Sequence, residues 1–155
     1  MSHVSFGGGA VEEAEHQIAT RLYQNTAKVH FDALMTKGSR WGKRIVYGGH
    51  VISVLRGLSF NGLENALGIL AWNGGAHANP TFAGDTLYAY SVVLDKAPIA
   101  GRSDVGALRV RLVGVKNINP ADEDVPLKVE TDGKPGYHSN VVLDLDYWLL
   151  MARKN

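Results

Sequence analysis

The chain has 155 residues, no cysteine, and a formal net charge of +1 from 16 Lys and Arg against 15 Asp and Glu. That length suits one domain with its own core. The missing cysteines exclude disulfides, thiolate nucleophiles and cysteine-based zinc sites, and the charge gives no electrostatic case for nucleic acid. No apolar run approaches the roughly 18 residues that cross a membrane as a helix. The start, MSHVSFGGGAVEEAEHQ, lacks the basic-then-apolar order of a secretory signal. A cytoplasmic protein with no nucleic-acid or membrane partner is therefore expected.

Residues 1–10 promise little structure, either a flexible segment, with Gly7, Gly8 and Gly9 favouring a turn, or an incomplete first strand. A helix is expected next, with Val11, Ala14, Ile18 and Leu22 on one face and Glu12, Glu13 and Glu15 near its start, where acids suit the helix dipole. It should end near Tyr23, leaving His16 in solvent. The stretch YQNTAKVHFD, Tyr23 to Asp32, reads as a loop with His30 between Val29 and Phe31. Residues 36–44, TKGSRWGKR, read as a basic surface loop.

A second helix is expected after Gly48–Gly49, with Val51, Val54, Leu55 and Leu58 as its stripe and Ile52 widening it. Gly62 should mark its end. Beyond it the period changes to two. Segment 66–73 is a mostly apolar strand. Segment 86–95 puts Thr86, Tyr88, Tyr90 and Val92 on one face. In 105–113, Leu108, Val110 and Leu112 alternate with Arg109 and Arg111. In 141–150, Val141, Leu143, Leu145, Tyr147 and Leu149 alternate with a face carrying Asp144 and Asp146. The Pro-, Asp- and Gly-rich stretch 117–140 reads as one long loop, and His77, beside a turn signal, as loop. Helix, loop, buried helix and four strands make an α+β domain over 1–155, with helix packed on one face of an antiparallel sheet.

This order resembles the hot-dog fold, a curved antiparallel sheet around a central apolar helix. Three segments resemble the MaoC-type hydratases of enoyl-CoA thioesters. The catalytic loop of that family runs G-D-x-N-P-x-H-x-D. Here QNTAKVHFD keeps His30 and Asp32 but has Asn25 at the aspartate position. YGGHVIS resembles the opening of the family's central helix, and FAGDTLYAYSVVLD its G-D-T-L turn and long strand. A narrower likeness runs through VEEAEHQIATRLYQNTAKVHF, LSFNGL, DVGALR and LDLDYW, which are similar to the C-terminal half of the mesaconyl-CoA hydratases, also called β-methylmalyl-CoA dehydratases. Those enzymes are about twice as long and hold two hot-dog halves.

The resemblance implies reversible hydration of an enoyl-CoA, mesaconyl-CoA to β-methylmalyl-CoA, with the thioester as substrate and no cofactor. It implies a homodimer, or pairing with a second hot-dog chain. It makes His30 the base that activates water. Asn25 then orients water without exchanging a proton, and the amide around Gly49, at a helix N-terminus, is the donor for the developing oxyanion. Arg40, Lys43 and Arg44 are candidates for the CoA phosphates. Residue by residue, more ordinary roles compete: Gly48–Gly49 as a close packing contact, His50 as a polar residue of the helix start, Asp32 and Asp85 as loop and turn fixers, Asp144 and Asp146 as solvated carboxylates. The histidines show no H-x-x-x-H or H-E-x-x-H spacing, so no metal site is expected. Two other readings suit the same fold: an acyl-CoA thioesterase, and a non-catalytic acyl-CoA-binding subunit of a two-chain dehydratase.

Overall fold

The computed structural model describes residues 4–5, 7–131 and 133–153. Its frame is an antiparallel sheet of β1 (Val4–Ser5), β2 (Gly9–Ala10), β3 (Ala66–His77), β4 (Thr86–Ile99), β5 (Arg102–Lys116) and β8 (Val141–Ala152). The order is β1-β4-β5-β8-β3, with β2 also on β4. The helices are α1 (Glu13–Leu22), α2 (Lys28–Phe31), α3 (Ala33–Thr36) and α4 (Gly48–Leu58).

The core forms where α4 meets the inner face of the sheet. Val51 and Leu55 of α4 pack with Leu87, Val110, Leu112, Leu143, Tyr147 and Leu149. The alternation expected in β5 and β8 largely holds: Val110, Leu112, Val141, Leu143, Leu145, Tyr147 and Leu149 are buried, and Leu108 is half-buried. At Gly114 a side chain of α4 packs close against the sheet backbone. A Cβ built there would lie 2.2 Å from Leu55 Cδ1 and 3.1 Å from Leu143 Cβ. Asp85 fixes the entry to β4 as expected, accepting from the Phe82 N–H at 2.9 Å and from Asn117 Nδ2 at 2.8 Å.

In 1–10 the incomplete first strand is the reading that holds, since β1 and β2 both pair with β4; residues 1–3 and 6 lie outside the described residues. Several expectations are corrected. Helix α1 buries the face opposite to the one expected. Ile18 and Leu22 are 59% and 74% exposed, while His16, Gln17 and Thr20 are buried; of the expected face only Val11, which precedes the helix, is buried. Part of that polar face is bonded there: Thr20 Oγ1 donates to His16 O of its own helix at 2.7 Å and Gln17 Nε2 to His30 O at 2.7 Å, while Gln17 Oε1 has no partner among the described residues. Burial of polar groups is cheap only when they are bonded. His16 is therefore a core residue, not a solvated one.

The loop after α1 contains two short helices, α2 and α3. Asp32 caps the second, accepting from the Met35 N–H at 2.9 Å. Helix α4 ends at Leu58, four residues before Gly62, whose φ of +83° serves the turn beyond. In β4 the face of Leu87, Ala89 and Ser91 is buried, and on the other face Tyr90 packs against Val113, Val115, Val125 and Val141. Stretch 117–140 holds a hairpin, β6 (Lys128–Thr131) with β7 (Lys134–Tyr137). Asp144 and Asp146 are ion-paired: Arg109 grips Asp146 with two hydrogen bonds of 2.9 and 2.7 Å, and Arg111 Nε stands 3.2 Å from Asp144.

Strand β3 is one edge of the sheet and, among the described residues, pairs with β8 alone. Leu67, Ile69, Leu70 and Trp72 are exposed along it. No helix among the described residues is long and apolar enough to cross a membrane.

Candidate active site

A cavity of about 500 Å³ opens where the α2 segment, the start of α4 and the end of β3 meet. Its polar groups come from His30, His77, Asn79 and Thr81 and from the Gly48 and Gly49 backbone; Ile45, Val51 and Ile52 supply apolar wall. A concave, largely apolar site with a few convergent polar groups is the form small-ligand sites take.

His30 is held from two sides. Its carbonyl accepts from Gln17 of α1. Its ring Nδ1 lies 2.9 Å from Ile45 O. A carbonyl only accepts, so Nδ1 carries the proton and the neutral ring keeps its lone pair on Nε2. That is the tautomer a general base requires. The Tyr47 ring stands edge-on to His30, centroids 5.7 Å apart.

Helix α4 begins at Gly48. The first amides of a helix have no intrahelical acceptor, and Tyr47, at the cap position, gives no side-chain hydrogen bond. The Gly48 and Gly49 N–H groups are thus placed at the positive end of the helix dipole, on the cavity. Both glycines also make room for rings. A Cβ on Gly49 would lie 2.6 Å from Tyr47 ring atoms, and one on Gly48 would lie 2.5 Å from His77 Nε2. The Thr81 hydroxyl is buried without a partner among the described residues.

The structure brings together only part of the predicted set. His30 and Gly49 share the cavity. Asn25 does not line it; its Oδ1 accepts from the Ala27 N–H at 2.9 Å and holds the turn into α2. The basic residues also lie elsewhere. Arg44 is bound to Glu13 and donates to Phe31 O at 3.3 Å. Arg40 stacks over Trp41 at 4.4 Å and Lys43 over Phe82 at 4.3 Å. Lys43 and Arg44 line a separate cleft of about 300 Å³ with Lys37 and Glu13.

His50 points away from the cavity; its buried Nε2 lies 3.9 Å from Glu15 Oε1 of α1. Trp72, Tyr88 and Tyr90 do not line the cavity either. His77, expected in a loop, is the last residue of β3, paired with Leu143, and it faces the cavity. The glycines of WNGGAH disguised its strand. Burial first, and then the charge of His30, lower its proton affinity below that of a free imidazole. Among the described residues no three His, Asp or Glu side chains converge to hold a metal ion.

The antiparallel sheet packed around α4 is a hot-dog fold. The chain is 56% identical over 154 residues to a β-methylmalyl-CoA dehydratase of Chloroflexus aurantiacus and 58% identical over 153 residues to a mesaconyl-CoA hydratase of Cereibacter sphaeroides. Each match covers 99% of this chain, but only 42% and 41% of the respective relatives, so the chain spans less than half their length. A crystal structure from C. aurantiacus described as a MaoC domain protein dehydratase superposes with a TM-score of 0.89 at 51% identity, covering all of this chain and 44% of that one. A Mycobacterium tuberculosis protein described as having a double hotdog fold matches with a TM-score of 0.69 at 25% identity, over 96% of this chain and 38% of that one. No protein-family model matches the sequence.

Proposed function

We propose that the chain is a cytoplasmic hydro-lyase domain that adds water reversibly to the double bond of an enoyl-CoA, mesaconyl-CoA being the preferred substrate. The observation that carries this is the pairing of His30 Nδ1 with Ile45 O, which leaves Nε2 as base in the cavity that the first amides of α4 also face. The names of the two long relatives support the acyl group.

Nε2 of His30 takes a proton from water as the water oxygen bonds to the β-carbon. The electrons of the double bond move to the thioester oxygen, which the Gly48 and Gly49 amides stabilise. The protonated imidazole then gives its proton to the α-carbon, the carbonyl re-forms, and His30 returns to its starting state. Water is consumed whole and no cofactor enters. Asn25 supports the loop that carries the base. Arg40 and Lys43, whose charges are met by aromatic faces, are the cations proposed for the CoA phosphates.

The working unit is proposed to be a homodimer. β3 leaves a 12-residue edge with exposed Leu67, Ile69, Leu70 and Trp72; such an edge invites pairing, and a second copy would supply the second hot-dog unit that the longer relatives have room for. Sedimentation of the purified chain should give a dimer and Ile69→Lys a monomer; a monomeric parent chain overturns the assembly.

The test of the reaction is loss of the conjugated double-bond absorbance of mesaconyl-CoA with the purified chain alone. Hydration that falls by about 10²–10⁴-fold in His30→Ala is expected from loss of a general base. Turnover unchanged in that variant, or release of free thiol in place of hydration, would overturn the proposal.

A further inference from the structure

We propose that His77 is a hydrogen-bond donor to the thioester carbonyl oxygen, acting beside the first two amides of α4. The inference rests on the acyl-CoA reading above and adds a side chain to the oxyanion site.

Four observations converge on it. The residue stands on a sheet strand, with its backbone in register with Leu143 of β8, so its ring is presented by a rigid element. The ring occupies the place a side chain at position 48 would fill, with Nε2 and Cε1 only 2.5 and 2.7 Å from a Cβ built on Gly48. A ring nitrogen is therefore packed against the helix start whose free amides would meet the oxyanion. His30 and His77 line the same cavity. Finally, burial and the neighbouring His30 both oppose protonation of His77, as does the positive end of α4. A neutral imidazole beside a helix N-terminus donates one N–H without bringing a full charge into the site, and it polarises a carbonyl in that form.

Donors aimed at the position where charge develops are worth more in the transition state than in the ground state. Loss of one should therefore lower kcat while leaving KM nearly unchanged. A histidine that merely fills space beside Gly48 would not divide the two constants in this way.

The experiment uses the full chain with mesaconyl-CoA and has two readouts. In His77→Ala, kcat should fall by about 100-fold with KM within about threefold, and His77→Gln, which keeps an N–H donor, should recover at least about tenfold of the loss. Gly48→Ala, whose methyl would meet the ring, should lower kcat in the same direction. The second readout is spectroscopic. Bound to His30→Ala, mesaconyl-CoA should show a red-shifted enoyl thioester band from carbonyl polarisation, and adding His77→Ala should remove the shift.

A kcat in His77→Ala within threefold of the parent, or a red shift that survives the double substitution, overturns the inference and leaves the hydratase reading in place. A parent chain without hydration, but with a red shift that depends on His77, overturns the hydratase reading and supports the donor assignment. Absence of both turnover and shift removes both.

Discussion

Gln17 Nε2 donates to the carbonyl oxygen of His30 at 2.7 Å, from a helix thirteen residues upstream. Gln17 is buried, so this bond ties the loop of the proposed base to the core. Gln17→Leu leaves that carbonyl unpaired, at a cost of about 1–3 kcal/mol. The expected outcome is a lowered denaturant midpoint together with a fall in kcat near tenfold at unchanged KM, because the base is displaced while the substrate cavity persists. Equal stability and equal kcat would show that the loop is positioned without this bond.

Asn25 gives a different kind of prediction. Its side-chain oxygen accepts the Ala27 N–H, and an aspartate can accept the same bond. Asn25→Asp should therefore melt close to the parent chain, and Asn25→Ala should lose about 1 kcal/mol. Since the side chain serves the turn and does not line the cavity, hydration by Asn25→Asp should stay within about tenfold of the parent, well short of the gain a general acid or base supplies. A hundredfold gain would mean that the side chain turns into the cavity during the reaction.

The contact of Gly114 with Leu55 is a test of the fold. Gly114→Ala forces a methyl against Leu55 Cδ1 and should destabilise by about 1–3 kcal/mol through overpacking. Leu55→Ala alone should cost about 2–5 kcal/mol through the cavity it leaves. In the double variant the new methyl sits in that cavity, so the combined loss should be smaller than the sum. Strict additivity in a double-mutant cycle would contradict the close approach of α4 to β5.

The histidines set a pH dependence of stability. His16 and His50 are buried, and burial is the largest reason each binds its proton less readily than a free imidazole. At His16 the charge of His30 adds to the effect and Glu15 opposes it; at His50 Glu15 opposes and His16 adds. Glu13 also faces His16, 3.3 Å away, and His77 shifts in the same direction as both. Unfolded imidazoles titrate near 6.5, so below that value the unfolded chain binds more protons than the folded one. Stability is then complete above about pH 7 and lost as pH falls from 6.5 towards the lower folded values, by about 1.4 kcal/mol for each tenfold difference in proton affinity. Denaturation midpoints should be level from pH 7 to 8 and drop between 6.5 and 5, and His50→Gln should flatten part of the drop. A midpoint that rises on acidification would contradict the buried neutral state.

The period-two alternation of β5 and β8, the apolar stripe of α4 and the turn role of Asp85 were set by the sequence alone. Each is a local pattern: side chains alternate along a strand and recur along a helix wherever the chain is placed. The loop segment carrying His30 and the glycine start of α4 were likewise legible from motif. Only the tertiary structure decided which face of α1 goes inside, because the buried Gln17 amide N–H needs a distant acceptor, the His30 carbonyl. It alone turned Asn25 to the Ala27 amide, drew Arg44 to Glu13 away from the cavity, and carried His77 from the far end of β3 to the Gly48 contact. Such encounters join residues tens of positions apart, and no local period encodes them.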